Sequence, residues 1–196
     1  MAETLTPQEK ELLLKLARQA LDEGVGGTQP QPLDMAELPE ALRQPGATFV
    51  TLTRRSELRG CVGTLEAYQP LAEDVREHAL AAALADYRFP PVTPAELPEL
   101  EIEISRLTQP TPLEYTDGED LLKRLRPGVD GVIIRDGPRR ATFLPQVWEK
   151  LPDAAQFLDH LCAKMGAEPG VWRYRKMKVF TYQVEEFHET RQVRSG

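Results

Sequence analysis

An α+β fold is what this 196-residue sequence predicts: antiparallel sheets flanked by helices, built from a strand-strand-helix-strand unit that occurs twice, with one further helix at the N-terminus. Three observations carry that expectation. A capped amphipathic segment opens the chain, runs of alternating apolar and polar residues are joined in pairs by short turns, and the same order of elements recurs after residue 129.

Thr6 reads as an N-cap, Pro7 as the first helical residue and Glu9 as the capping-box partner, so a helix is expected to about Asp22, stopping near Gly24. Leu12, Leu13, Leu16, Ala20 and Leu21 form its apolar stripe. Residues 26–39 are rich in Gly, Gln and Pro and read as a connector, with a short helical turn after Pro39. Residues 1–46 thus precede the first unit, 47–107. In it Ala47–Thr53 is a strand, Arg54–Glu57 a turn, Leu58–Leu65 a strand, Leu71–Asp86 a helix and Leu100–Leu107 a strand. A short helix near Glu119–Leu125 bridges to the second unit, 129–187. There Gly131–Arg135 is a strand, Asp136-Gly137 a hairpin turn, Arg139–Leu144 a strand, Ala154–Met165 a helix and Met177–Val184 a strand. Such a duplication normally packs about a pseudo-twofold axis, and aligning the second strands sets Arg59 beside Arg140 and Cys61 beside Thr142. If the units meet through these strands, all four residues face one cleft.

Composition narrows the function. A net charge of −7 and 41% hydrophobic residues describe a chain with a real core and an acidic surface, which argues against a nucleic-acid partner. The N-terminal MAETLTPQEKE has no apolar core segment, and nothing later approaches the roughly 18 apolar residues of a membrane span. No membrane partner is expected, and the cytoplasm is the expected location. Cys61 and Cys162 are too few and too far apart for a disulfide framework, in keeping with a reducing compartment. His78, His160 and His188 lack zinc-ligand spacing, so no metal is assigned. The sequence leaves any cofactor unknown.

The functional clue is LRGCVGT, Leu58–Thr64. Strand interiors disfavour Gly, so Gly60 and Gly63 mark a bulge or a close approach by another group. Regular alternation puts Arg59, Cys61 and Gly63 on one face, with neighbours roughly 6.6 Å apart. A thiol flanked by a cation and by missing side chains suits an anionic or electrophilic small molecule. Equally, a strand Cys is often a small core residue, and both glycines can serve backbone packing alone.

Arg88, in the RFPPV segment, is a second anion contact, or else a capping or salt-bridging Arg. His78 sits at the edge of its helix's apolar stripe and is a weak candidate for the base that thiol chemistry wants. Cys162 shares a helical face with Leu158, Leu161 and Met165 and reads as a core thiol. The run VWRYRKMK alternates inward aromatics with solvated bases, and Glu101 and Glu103 read as the solvent side of their strand.

With LRGCVGT followed by RFPPV, ELPEL at 96–100 and FLPQVW at 143–148, the chain resembles the AMMECR-type domain family, also labelled AmmeMemoRadiSam system protein A. The resemblance covers nearly the whole chain, taken as a single domain over 1–196, and implies intertwined repeats. It implies LRGCVGT as the functional segment. By association it also implies a shared pathway with Memo-like and radical S-adenosylmethionine proteins. Val62 stands where the family commonly has a bulkier aliphatic residue. No activity carries over.

Two functions fit. One is a small-molecule enzyme, or a component of one, with Cys61 as thiol nucleophile or acid/base and with Arg59, Gly60, Gly63, Arg88, Arg140 and Thr142 around a small anionic substrate. The other is a non-catalytic module that binds a partner or ligand with the same surface. The sequence contains no recognisable triad, metal set or phosphate loop that would decide between them.

Overall fold

Local chemistry starts the first helix where the sequence places it. In the computed structural model, which describes residues 4–189, the Glu9 N–H donates to Thr6 Oγ1 and the Thr6 N–H to the Glu9 carboxylate. This closes the capping box at the head of α1, Pro7–Val25. The helix runs three residues beyond Asp22 because Gly26, not Gly24, forms the C-cap and returns its N–H to the Asp22 carbonyl. Leu13, Leu16, Ala17, Ala20 and Leu21 are buried, while Leu12 only flanks that stripe. Residues 1–3 and 190–196 of the expected single domain lie outside the described residues.

After the short α2, Glu40–Arg43, the chain enters β1, Pro45–Arg54, the central strand of the first sheet. A tight turn follows, with Arg55 and Ser56 at φ 53° and 65°. These left-handed values match the twist of a two-residue hairpin, although Asn and Gly usually occupy it. The turn leads into β2, Glu57–Gly63, antiparallel to β1. The two-residue β3, Gln69–Pro70, caps the start of β1 and leads directly into α3, Leu71–Leu84. β4, Leu100–Leu107, pairs antiparallel with the other side of β1 over eight residues. Val50, Leu52, Ile102 and Ile104 point to the side covered by α1 and α3 and make one continuous core with Leu13, Leu16, Leu21, Val75 and Ala79.

The second sheet is assembled from β5 (Thr111–Pro112), β6 (Gly131–Asp136), β7 (Arg139–Phe143) and β8 (Lys178–Tyr182), in the order β5-β8-β6-β7. It packs with α4, Gly118–Arg124, and α5, Ala154–Lys164, around a second core. There Trp148 stacks on Phe157 with ring centroids 3.7 Å apart, and Phe143 meets Phe157 edge-on at 5.3 Å.

The architecture is α+β, and both sheets place the first hairpin strand between its partner and the strand after the helix: β2-β1-β4 and β7-β6-β8. The unit boundaries differ from the expected 47–107 and 129–187. One compact unit comprises residues 4–107 with 185–189, and the other Thr108–Val184. The reason lies at Gln183. Its N–H donates to Thr108 Oγ1 and its carbonyl accepts the Thr108 N–H, both at 2.8 Å, which ends β8. The expected strand Met177–Val184 is therefore interrupted, and the chain resumes as β9, Val184–His188, beside β4 in the first sheet. No helix among the described residues is long and apolar enough to cross a membrane.

Candidate functional site

The LRGCVGT segment forms β2, the edge strand of the first sheet, and Cys61 lies opposite Thr51. Cys61 belongs to the closely spaced kind of antiparallel pair, whose backbone groups point away from the neighbouring strand. Its side chain is half-buried on the face opposite the helices, and the Thr51 hydroxyl donates to Sγ at 3.3 Å.

Cys61's outward backbone groups do not face bare solvent. The Cys61 N–H donates to Asp86 Oδ2 at 2.9 Å, and its carbonyl accepts Arg88 Nη2 at 3.2 Å. Asp86 in turn accepts the Arg88 backbone N–H (3.1 Å), Nε (2.9 Å) and Nη2 (2.7 Å). An Asp–Arg pair two residues apart thus imitates a neighbouring strand and blunts the sheet edge at the cysteine. Hydrogen bonds from the Arg88 guanidinium, reinforced by the Cys61 and Arg88 amides against the cost of burial, hold the Asp86 carboxyl well below the usual carboxylate range. Asp86 was not singled out from sequence. Its signal is the Asp-x-Arg spacing just past the end of α3, a local side-chain turn that gains meaning only beside β2.

Arg88 is therefore an ion-pairing residue that holds β2, and its guanidinium is engaged bidentately instead of standing open at a cleft edge. Arg59 is also redirected. Gly60 pairs with Leu52 and Leu58 with Thr53, which leaves Arg59 as the extra residue of a β-bulge. The bulge breaks the alternation that put Arg59 beside Cys61 and re-aims its side chain. Arg59 Nε and Nη2 donate to Glu96 at 2.9 and 3.2 Å, and Nη1 donates to the Pro90 carbonyl at 2.9 Å. These bonds from Arg59, together with those from Thr93, bring the Glu96 carboxyl down to about 2.

The glycines open no hollow. A Cβ on Gly60 would lie 2.0 Å from the Ala82 carbonyl oxygen, and one on Gly63 would lie 2.5 Å from Phe49 Cα. Gly60 lets α3 approach β2, and Gly63 lets β2 close on β1. That contact also places His78. It lies one turn before Ala82 on α3, against the Gly60 face, whereas Cys61 projects from the other face. Its Nδ1 is 3.2 Å from Asp74 Oδ2, which accepts the Thr48 hydroxyl at 2.7 Å, so His78 joins a buried polar cluster and is not the base for this thiol.

Arg140 and Thr142 stand on β7 of the second unit, opposite Arg135 and Ile133. The Thr142 hydroxyl lies 3.1 Å from Tyr182 Oη. Cys162 is buried in the second core, where burial pushes its thiol up to about 11. Among the described residues no group of three or more His, Cys, Asp or Glu side chains is placed to hold a metal.

Comparison with known proteins agrees with the motif reading. The AMMECR1 family model matches residues 14–187. A protein of Methanothermobacter thermautotrophicus is 39% identical over 186 residues, covering 94% of this chain and 96% of its own length. One from Thermofilum pendens is 37% identical, covering 95% and 92%. The crystal structure of an uncharacterized protein from Pyrococcus horikoshii is similar with a TM-score of 0.75 at 33% identity, covering 94% of this chain and 93% of that one. On this evidence of sequence and fold, the chain belongs to the AMMECR1 family.

Proposed function

We propose that the first unit presents Cys61 as the thiol of a small-molecule site, in an enzyme or a component of one. The observation that carries this reading is the clamp. Asp86 and Arg88 hold both backbone groups of one residue, Thr51 holds its sulfur, and the thiol stays half-exposed on a rigid strand. Arg59 and Arg88 already serve Glu96 and Asp86, so the electrophile takes precedence over the anion as the feature recognised. Addition of the thiol across an electrophilic carbonyl balances without a co-reactant. Sulfur bonds to carbon, and the thiol proton passes through water to the carbonyl oxygen. A reducing cytoplasm suits this chemistry because it keeps Cys61 as a thiol.

Iodoacetamide labelling of the native protein, followed by peptide mass spectrometry from pH 6 to 9, tests the reading. Cys61 should label with a pH-dependent rate while Cys162 stays unmodified. Labelling of Cys61 no faster than Cys162 would end the case for chemistry at this residue.

A second reading, a non-catalytic module working with Memo-like and radical S-adenosylmethionine proteins, draws support from exposed side chains in the same unit. Tyr87 is 96% exposed, and Leu58 and Leu84 are also open to solvent. Retention of partner binding by Cys61→Ala, with no substrate-dependent modification of the wild type, would favour it.

A further inference from the structure

On the face of the first sheet turned away from α1 and α3, one row joins a thiol, a hydroxyl and a carboxylate. Thr51 on β1 lies opposite Cys61 on β2 and opposite Glu103 on β4. Cross-strand partners share a face, and adjacent strands are about 4.8 Å apart, so Cys61 and Glu103 stand roughly 10 Å apart at the backbone with the threonine between them. Each of these residues is half-buried. Their bonding differs. Thr51 donates to the sulfur, and the arginines of the segment, Arg59 and Arg88, are each matched by a carboxylate, Glu96 and Asp86. Glu103 has no such match: among the described residues no hydrogen bond or ion pair reaches its carboxylate. The unbalanced charge in this row is therefore negative.

We infer that the electrophile taken by Cys61 carries a positively charged group, which Glu103 receives: a small amino-carbonyl compound. This rests on the reading of Cys61 as the thiol of a small-molecule site and names the substrate class of that site. The spacing sets the size. Once one covalent bond to sulfur and one charge-assisted hydrogen bond of about 2.8 Å are allowed for, roughly 5 Å, or about four bonds, separate the carbonyl carbon from the nitrogen. The thiol adds to the carbonyl carbon, its proton passes through water to the carbonyl oxygen, and the ammonium group and Glu103 keep their charges throughout. An anionic electrophile would be repelled by the same carboxylate, and a neutral one would leave it unpaired on a half-buried face.

The test compares three methanethiosulfonates as modifiers of Cys61 in the full chain, read by peptide mass spectrometry: one with an aminoethyl tail, one with a sulfonatoethyl tail and one with a neutral ethyl tail. In each the tail's sulfur bonds to Sγ and methanesulfinate leaves. Rates are divided by those for 2-mercaptoethanol in about 0.1 M salt, which screens charges farther away than roughly 10 Å. The aminoethyl reagent should then exceed the sulfonatoethyl reagent by about tenfold, the difference that one carboxylate at roughly 5 Å makes in a water-like dielectric. Glu103→Gln should cut that ratio roughly fivefold or more and leave the neutral rate within about twofold, whereas Glu103→Asp should retain the preference. Glu37→Gln removes an exposed carboxylate from the connector and should leave the ratio unchanged. A wild-type ratio near one or below it, with ready modification by the neutral reagent, would overturn the inference and spare the thiol reading. An equal fall in Glu103→Gln and Glu37→Gln, or loss of the preference in Glu103→Asp, would overturn it in the same way. No modification of Cys61 by any of the three reagents would overturn both.

Discussion

Replacing Asp86 with alanine removes the acceptor of four hydrogen bonds at once: those from the Cys61 amide and from the amide, Nε and Nη2 of Arg88. Bonds to a charged group contribute about 1.5–3 kcal/mol each when lost singly, but they share one carboxylate and do not add. The Arg88 side chain is 44% exposed, so water recovers much of its share. The Cys61 amide is less accessible and keeps more of its cost. The expected loss is about 2–4 kcal/mol, which lowers Tm by roughly 4–16 °C for a chain of this size. Asp86→Asn keeps one oxygen for the Cys61 N–H and should recover about 1 kcal/mol of that loss. Urea unfolding measures the stability, and amide hydrogen exchange at Cys61 reports the clamp directly. A stability change within about 0.5 kcal/mol together with unchanged exchange at Cys61 would refute the argument that Asp86 holds this strand.

Acid should act through the Arg59–Glu96 pair. Glu96 ionises in the folded state at about 2 against an ordinary 4.5, so its contribution is complete above pH 4.5 and disappears as pH falls through 2. Glu96→Gln should therefore lose less stability than wild type between pH 6 and pH 3 in urea titrations, and equal losses would count against the pairing. Gly60→Ala drives a Cβ to within 2.0 Å of the Ala82 carbonyl oxygen, a backbone atom that cannot turn aside. It should destabilise by about 3 kcal/mol, read from the urea midpoint, and a neutral result would show that α3 has room to shift. Cys61→Ser keeps the clamp and the Thr51 contact, so it should alter stability by less than about 1 kcal/mol while abolishing native labelling at that position.

Much of the fold was legible in the chain because its signals are local. The Thr6–Glu9 capping box, the alternation of LEIEISRL and the Asp136-Gly137 turn each depend on residues within four positions, and the structure has α1, β4 and the β6–β7 hairpin at those places. The candidate site was legible as a segment but not as a geometry. Arg59 looked like a neighbour of Cys61 because a strand was assumed regular, and one bulge was enough to send it to Glu96. The glycines announced a close approach, but only α3 and β1 show what approaches.

By itself the sequence determined the class of fold, the order of its elements, the core thiol at Cys162 and the family, all of which follow from residue spacing along the chain. Tertiary structure decided which groups meet. The carboxylate that holds Cys61 lies 25 residues away and the one that takes Arg59 lies 37 away. The last strand leaves the second sheet for the first. Such pairings are settled by burial and by the need to satisfy buried polar groups in the packed chain, and neither has a period that can be read along the sequence.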